Sequence, residues 1–414
     1  MSNILYKDAQ EIIKAALLSA QPDVAVTKAI KECPWLCDGG RIVLIAIGKA
    51  AWQMAKVAIE NVGDFITGGV VITKYEHSMG DLPGVTIYEA GHPIPDANSF
   101  AATEAAIQAA QGLTAKDRVL LLISGGGSAL FEKPLVPVSE LESITQQLLA
   151  CGADIVEMNT IRKRLSAVKG GRFAQLCAPA KVFSIVLSDI IGDPLDMIAS
   201  GPAYPDSSTC EAAFAIAQKY NIIRLPETDK LMAVETPKSL NNVTTNISGS
   251  VRQLCFSAQD KCIQLGYSPT ILTDSLNCTA RDAGTFMASI ARFYQDSSRS
   301  LAFLAGGETV VKLIGTGKGG RNQELALSAA VGIDGLADTA VFSFGSDGTD
   351  GPTDAAGGYV DGATRQLLKE IGVDIHKYLE NNDSYRALDS VNALLKTGPT
   401  GTNVNDLSVV LIRR

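Results

Sequence analysis

Short aliphatic or β-branched runs recur through the first half of the chain, at Arg41–Ile47, Gly69–Thr73, Val85–Ala90, Arg118–Ile123 and Lys181–Leu187. Each is followed by a Gly/Ser/Asp-rich stretch and then a helical pattern, which is the rhythm of βαβ units. The runs are apolar on both faces, so they predict parallel strands covered by helices on each side, a doubly wound α/β domain. From Asn221 to Asn246 the pattern breaks into Pro226, Pro237 and a polar Asn/Thr tract, the shift expected of a connection. We place the domains at 1–235 and 236–414. A second strand series is predicted at Val243–Ile247, Pro269–Thr273, Leu301–Ala305, Thr309–Ile314 and Ala340–Phe344, interleaved with helices over Val251–Gln264, Cys278–Gln295 and Asn322–Gly332. The adjacent pair around Gly306-Gly307 predicts an antiparallel hairpin, hence a mixed second sheet. The last apolar run, Leu407–Ile412, is compatible with either sheet.

Composition narrows the function classes. At 414 residues, with about 150 residues per domain, two or three cores are expected. Hydrophobic residues at 46% against 19% charged exclude disorder as the main state. A net charge of −8 with scattered Lys and Arg excludes a nucleic-acid surface, which needs a concentrated basic face. No run reaches the roughly 18 apolar residues of a membrane span, and Met1–Asp8 lacks the pattern of a secretory signal, so a cytoplasmic protein is expected. The eight Cys are scattered without a Cys-x-x-Cys pair, and three His do not make a zinc site. They are expected to be reduced thiols. An assembly of identical copies is compatible with the sequence.

The polar clusters fall directly after the strands, where open parallel sheets bind ligands. Ser124-Gly125-Gly126-Gly127-Ser128 has three successive glycines, which permit positive φ and let backbone N–H groups turn toward a phosphate or carboxylate. Neither a dinucleotide fingerprint nor a phosphate-loop motif is present. Lys49 ends an almost wholly apolar strand and suits a point cation for phosphate. Arg321 stands where Gly315-Thr316-Gly317-Lys318-Gly319-Gly320, read as a flexible loop, turns into a helix. Its permanently charged fork suits oxygens that gain charge during transfer. Asn159–Arg172 carries a second basic cluster, in which Arg162 and Lys169 are candidate ligands beside Asn159. The acids are Asp189, Asp193, Glu308, Asp347, Asp350 and Asp354. Such oxygens suit magnesium bound with substrate phosphates; Asp189, following an apolar strand, is the best catalytic candidate. Asp350 and Asp354 also fit simple turn roles. For His92, in a Gly/Pro loop, a structural hydrogen bond weighs as heavily as catalysis.

Several motifs together resemble the class II glycerate kinases, the glycerate 2-kinase family with a MOFRL carboxyl-terminal region. They are Gly-His-Pro-Ile-Pro-Asp-Ala-Asn-Ser (91–99), Ser-Gly-Gly-Gly-Ser-Ala-Leu (124–130), Met-Asn-Thr-Ile-Arg-Lys-Arg-Leu-Ser (158–166), Ser-Asp-Ile-Ile-Gly-Asp (188–193), Ala-Ser-Gly-Pro (199–202), Gly-Gly-Glu-Thr (306–309), Gly-Gly-Arg-Asn-Gln-Glu (319–324) and the acid-rich run 345–357. The resemblance implies transfer of the ATP γ-phosphate to the 2-hydroxyl of D-glycerate, with magnesium, in a cleft between a Rossmann-like domain and a second α/β domain. Lys49 and Arg321 match cations the family is thought to use. Our own assignments are Ser124–Ser128, Asn159, Arg162, Lys169 and Glu308 for substrate or nucleotide, and Asp189 and Asp347 for the metal. Asp189 would alternatively take the hydroxyl proton. The rivals are an NAD(P)H-dependent hydroxypyruvate reductase, disfavoured by the missing fingerprint, and a non-catalytic sugar-acid binding module.

Overall fold

The computed structural model describes residues 3–188 and 195–414. The chain forms two compact units, one from 25–188 with 195–248, the other from the segment up to Val24 with 249–414.

The first unit holds one six-stranded sheet of β1 (Ile42–Ile47), β2 (Ile66–Lys74), β3 (Thr86–Ala90), β4 (Arg118–Ile123), β5 (Lys181–Leu187) and β6 (Val243–Gly249), in the order β3–β2–β1–β4–β5–β6. Neighbours from β3 through β5 pair in parallel. β1 and β4 are buried along their whole length, as strands covered on both faces must be. On one face Leu44, Ala46, Leu120 and Leu122 meet Ala51, Met54, Ala55 and Ala58 of the helix Ala51–Val62. The expected strands of the first series all form. The strand expected to open the second series instead edges this sheet as β6; Val182 N–H donates to Asn242 O at 2.7 Å beside it. The proline-marked stretch before it is not a free connection either. Pro226 starts a short helix, Pro226–Met232, whose Met232 is buried with Ile161 and Leu165.

The second unit holds β7 (Ser268–Leu276), β8 (Leu301–Gly307), β9 (Thr339–Gly345), β10 (Gly357–Asp361), β11 (Leu394–Leu395) and β12 (Asp406–Ile412), in the order β11–β10–β9–β12–β8–β7. The sheet is mixed, but not through the expected hairpin. β7 and β8 are parallel, while β12 inserts antiparallel between β8 and β9, and β10 lies antiparallel to β9. Residues 309–314 form no strand. Gly307 has φ +151, and a Cβ there would stand 2.3 Å from the Leu276 carbonyl. The chain leaves the sheet at that crowded point, with only Val310 bridging to Thr279.

The helix Asn3–Ser19 belongs to the second unit. Leu5, Ala9, Ile12, Ile13, Ala16 and Leu17 line one face at helical spacing and pack with Leu254, Ala258, Phe342 and Tyr359. Ile12 is fully buried, so Ile12→Ala should lower unfolding stability by about 2–5 kcal/mol. Denaturant titration checks this; an unchanged midpoint would mean the helix is not docked. No described helix is long and apolar enough to cross a membrane.

Candidate active site

In the first unit the strand order reverses between β1 and β4, because β2 and β3 add on one side of β1 and β4 to β6 on the other. In a doubly wound sheet the ligand crevice opens at that reversal, at the carboxyl ends of the strands. Lys49 and Ser124–Ser128 both sit there. Ser124 N–H donates to Ile47 O (2.9 Å), and its hydroxyl accepts from Ala50 N–H (3.1 Å). Lys49 N–H donates to Gly125 O at 2.9 Å, fixing the base of an exposed ammonium. The Lys49 carbonyl accepts from Thr73 Oγ1 and lies 3.1 Å from His77 Nδ1. Gly48 has φ +116, and a Cβ on it would collide with Ser124, so only glycine lets the two turns touch.

Gly126 is left-handed, at φ +89. Behind the turn, Ser128 Oγ meets Ser200 Oγ at 3.0 Å, and Ser200 Oγ donates to Asn159 Oδ1 at 3.0 Å. Ala199 and Ser200, at φ +50 and +59, hold a conformation rarely taken by non-glycine residues and often found at functional sites. Lys169 is fully buried; its ammonium donates to Ser128 O (2.7 Å) and Phe131 O (3.0 Å) and pairs with buried Glu132 (3.2 Å). Burial pulls its pKa down to about 8, although the Glu132 charge opposes this. Lys169 and Asn159 therefore brace the turn from below. Arg162 pairs with Glu132 at 3.7 Å and donates to Ser128 O at 3.4 Å while keeping some exposure. The remaining basic residues are structural: Lys163 and Arg164 are buried against Asp206, and Arg172 donates to three carbonyls.

In the second unit β12 runs opposite to β8 and β9, so its first residue lies at their carboxyl ends, Asp406 pairing in register with Gly307 and Gly345. Three acids thus share this rim: Glu308 after β8, Asp347 after β9 and Asp406 at the start of β12. Arg321, the first residue of the helix Arg321–Gly332, is gripped by Asp406 through Nε (2.5 Å) and Nη2 (3.0 Å). Its Nη1 donates to Glu308 at 2.8 Å. Burial would lower the guanidinium pKa, but Asp406 and Glu308 hold it above its ordinary value.

The glycine loop before Arg321 is pinned rather than flexible. Ile314 and Gly315 N–H donate to Asn382 Oδ1, Gly317 N–H to Asn381 O, and Lys318 N–H to Asp383 Oδ1. Its glycines let the loop lie flat on 381–384: a Cβ on Gly315 would stand 2.4 Å from Asn381 backbone.

Asp350 is buried and caps the helix, accepting from Asn322 N–H (3.1 Å) and Gln323 N–H (2.8 Å). Burial pushes its pKa from 3.8 up to about 6. The folded state then binds a proton more readily than the unfolded state between those values. Lowering the pH from about 6 toward 4 should therefore stabilise the wild type relative to Asp350→Asn. Paired urea titrations at pH 7 and pH 5 check this; an unchanged stability difference would contradict it.

Asp347 is half-buried and accepts Thr349 N–H with Oδ1 (2.9 Å). Asp354 is an exposed partner of Tyr385 and Lys396. Among the described residues no three His, Cys, Asp or Glu gather as a preformed metal cage. Magnesium usually takes one or two carboxylates and completes its shell with phosphate and water, and Asp347 is a carboxylate of that kind. Asp189 and Asp193 lie outside the described residues. Asp406 and Glu132 do not stand out in the sequence, and Ser200 appears there only within the Ala-Ser-Gly-Pro motif. An acid heading a run that is apolar but for Ser408 is the one signal for Asp406.

Fold and rims together define a class: two-unit α/β proteins with cations at glycine-lined strand ends. Residues 8–232 match the family described as a domain of unknown function, DUF4147, and 301–406 match the MOFRL family. A D-glycerate 2-kinase of Thermotoga maritima is 50% identical over 99% of this chain and 98% of its own. A glycerate 2-kinase of Pyrococcus horikoshii is 40% identical over 97% and 96%. A crystal structure of glycerate kinase from Thermotoga maritima superposes with a TM-score of 0.93, at 50% identity and 99% coverage of both chains. The chain belongs to the glycerate 2-kinase family.

Proposed function

We propose that the protein transfers the γ-phosphoryl group of ATP to the 2-hydroxyl of D-glycerate, giving 2-phosphoglycerate and ADP. The observation that carries this reading is likeness to a D-glycerate 2-kinase along essentially the whole chain. Phosphoryl transfer asks a protein chiefly to align donor and acceptor and to neutralise developing charge. Lys49 supplies a point charge beside the Gly125–Gly127 turn, and Arg321 a fork whose orientation is fixed by Asp406 and Glu308. Each is of the charge type that stabilises a migrating phosphoryl group.

Ser124–Ser128 holds an anionic group, the glycerate carboxylate or a nucleotide phosphate, with Arg162 reaching it from the side. Asn159 and Lys169 act as positioning residues, because both are buried under the turn. Magnesium, held by Asp347 and Asp189 together with ATP, would supply further positive charge at the phosphates. The compartment we propose is the cytoplasm.

Purified protein should release ADP from ATP only when D-glycerate is present, and should not oxidise NADH with hydroxypyruvate. Glycerate binding without ADP release would favour a binding module. NADH oxidation would favour the reductase.

A further inference from the structure

One residue of the β1–β4 crevice has no part in the chemistry so far. His92 follows β3, and its ring lies against the glycine turn. A methyl group built on Gly126 would stand 3.1 Å from His92 Cδ2, 3.2 Å from Nε2 and 3.3 Å from Lys49 Cγ. His92 and Lys49 therefore bracket the same glycine, so both side chains belong to the turn that ends in Ser128.

Positive groups face the ring from several elements. Lys49 comes from the end of β1, Lys74 from the end of β2 and His77 from the loop after it. The nearby carboxylate of Asp96 is spent on Tyr75 OH, Ser99 N–H and Ser99 Oγ. Partial burial first, and then the three positive or potentially positive neighbours, hold the imidazole pKa below its ordinary 6.5. It is neutral at physiological pH and offers a ring nitrogen as a proton acceptor.

We propose that His92 is the general base that takes the proton of the acceptor hydroxyl during transfer. This rests on the kinase reading above. As the hydroxyl oxygen bonds to the γ-phosphorus, its O–H bond breaks and the proton passes to the imidazole. The bond from the γ-phosphorus to the β-γ bridging oxygen breaks, and ADP leaves with the electron pair. The imidazolium afterwards returns its proton to solvent. Lys49 beside the ring keeps the imidazolium short-lived, and Asp189 is left with the metal.

The test is kcat against pH for the wild type, His92→Gln, His92→Ala with and without added imidazole, and Asp189→Asn. The wild type should lose kcat at acid pH with unit slope and a midpoint below 6.5. His92→Gln should lose about 10²-fold in kcat and the acid limb with it, at a nearly unchanged glycerate KM. Imidazole should restore part of the His92→Ala activity. Asp189→Asn should be slow but keep the limb. A His92→Gln enzyme with wild-type kcat, an intact acid limb or a loss confined to KM overturns the assignment. If neither His92 variant folds, an NMR titration of His92 in the wild type decides: a midpoint matching the acid limb supports the role, and a mismatch refutes it. A wild type that never makes ADP with glycerate refutes the kinase reading instead.

Discussion

Arg321→Ala should turn over at least about 10²-fold more slowly, with the KM values for ATP and glycerate nearly unchanged. The guanidinium does not need ordering at the moment of reaction, because Asp406 and Glu308 already hold three of its donors in place. We assign its remaining N–H groups to the phosphoryl oxygens on which charge builds up. Arg321→Lys should recover little, since an ammonium cannot reproduce a bidentate grip on Asp406. The alanine variant should also be less stable, because buried Asp406 loses the partner that offsets its desolvation. Steady-state kinetics beside a denaturation curve separates the two effects. A change in KM alone would reject the role in the transition state.

Lys49→Met should cost a comparable factor, about 10² or more in kcat, but with little loss of stability. The difference comes from burial. The Lys49 side chain is exposed, and what anchors the residue is its backbone, through Gly125 O, Thr73 and His77. Methionine keeps the stem length and removes only the charge. Lys49→Arg should not substitute well, since a planar guanidinium spreads the charge that an ammonium concentrates at one point. Kinetics at saturating ATP and glycerate checks this; a variant with wild-type kcat would remove Lys49 from the chemistry.

Much of the first unit is legible from the residues alone, for identifiable reasons. β1 and β4 show as unbroken apolar runs because both faces are covered, and the polar residues after each run must lie at one edge of the sheet. That is enough to bring Lys49 to the glycine turn before any coordinates exist. The helix Asn3–Ser19 is not among the elements expected from the sequence, and its apolar stripe would not by itself say which sheet it covers. β6 falls into the wrong series in a reading of the sequence because an edge strand looks the same beside either sheet. The pair at Gly306-Gly307 reads as a hairpin because two glycines between apolar runs suit a tight turn; here Gly307 serves the close approach of β7, and Gly306 that of Val251 and Cys255 on the helix Val251–Gln264.

Sites built by antiparallel geometry are the least visible. Asp406 opens its strand, so a search for polar residues after strands passes over it, although the direction of β12 delivers it to Arg321. Lys169 and Arg162 look alike, seven residues apart on a basic segment. Both pair with Glu132, and only burial in the folded unit distinguishes the enclosed brace from the partly exposed guanidinium.

The most direct measurement is phosphorus NMR of the products after the purified protein has been incubated with ATP, magnesium and D-glycerate. Resonances of ADP and 2-phosphoglycerate should grow together in equal amounts. Unchanged ATP, or phosphate appearing on the 3-hydroxyl, would contradict a glycerate 2-kinase.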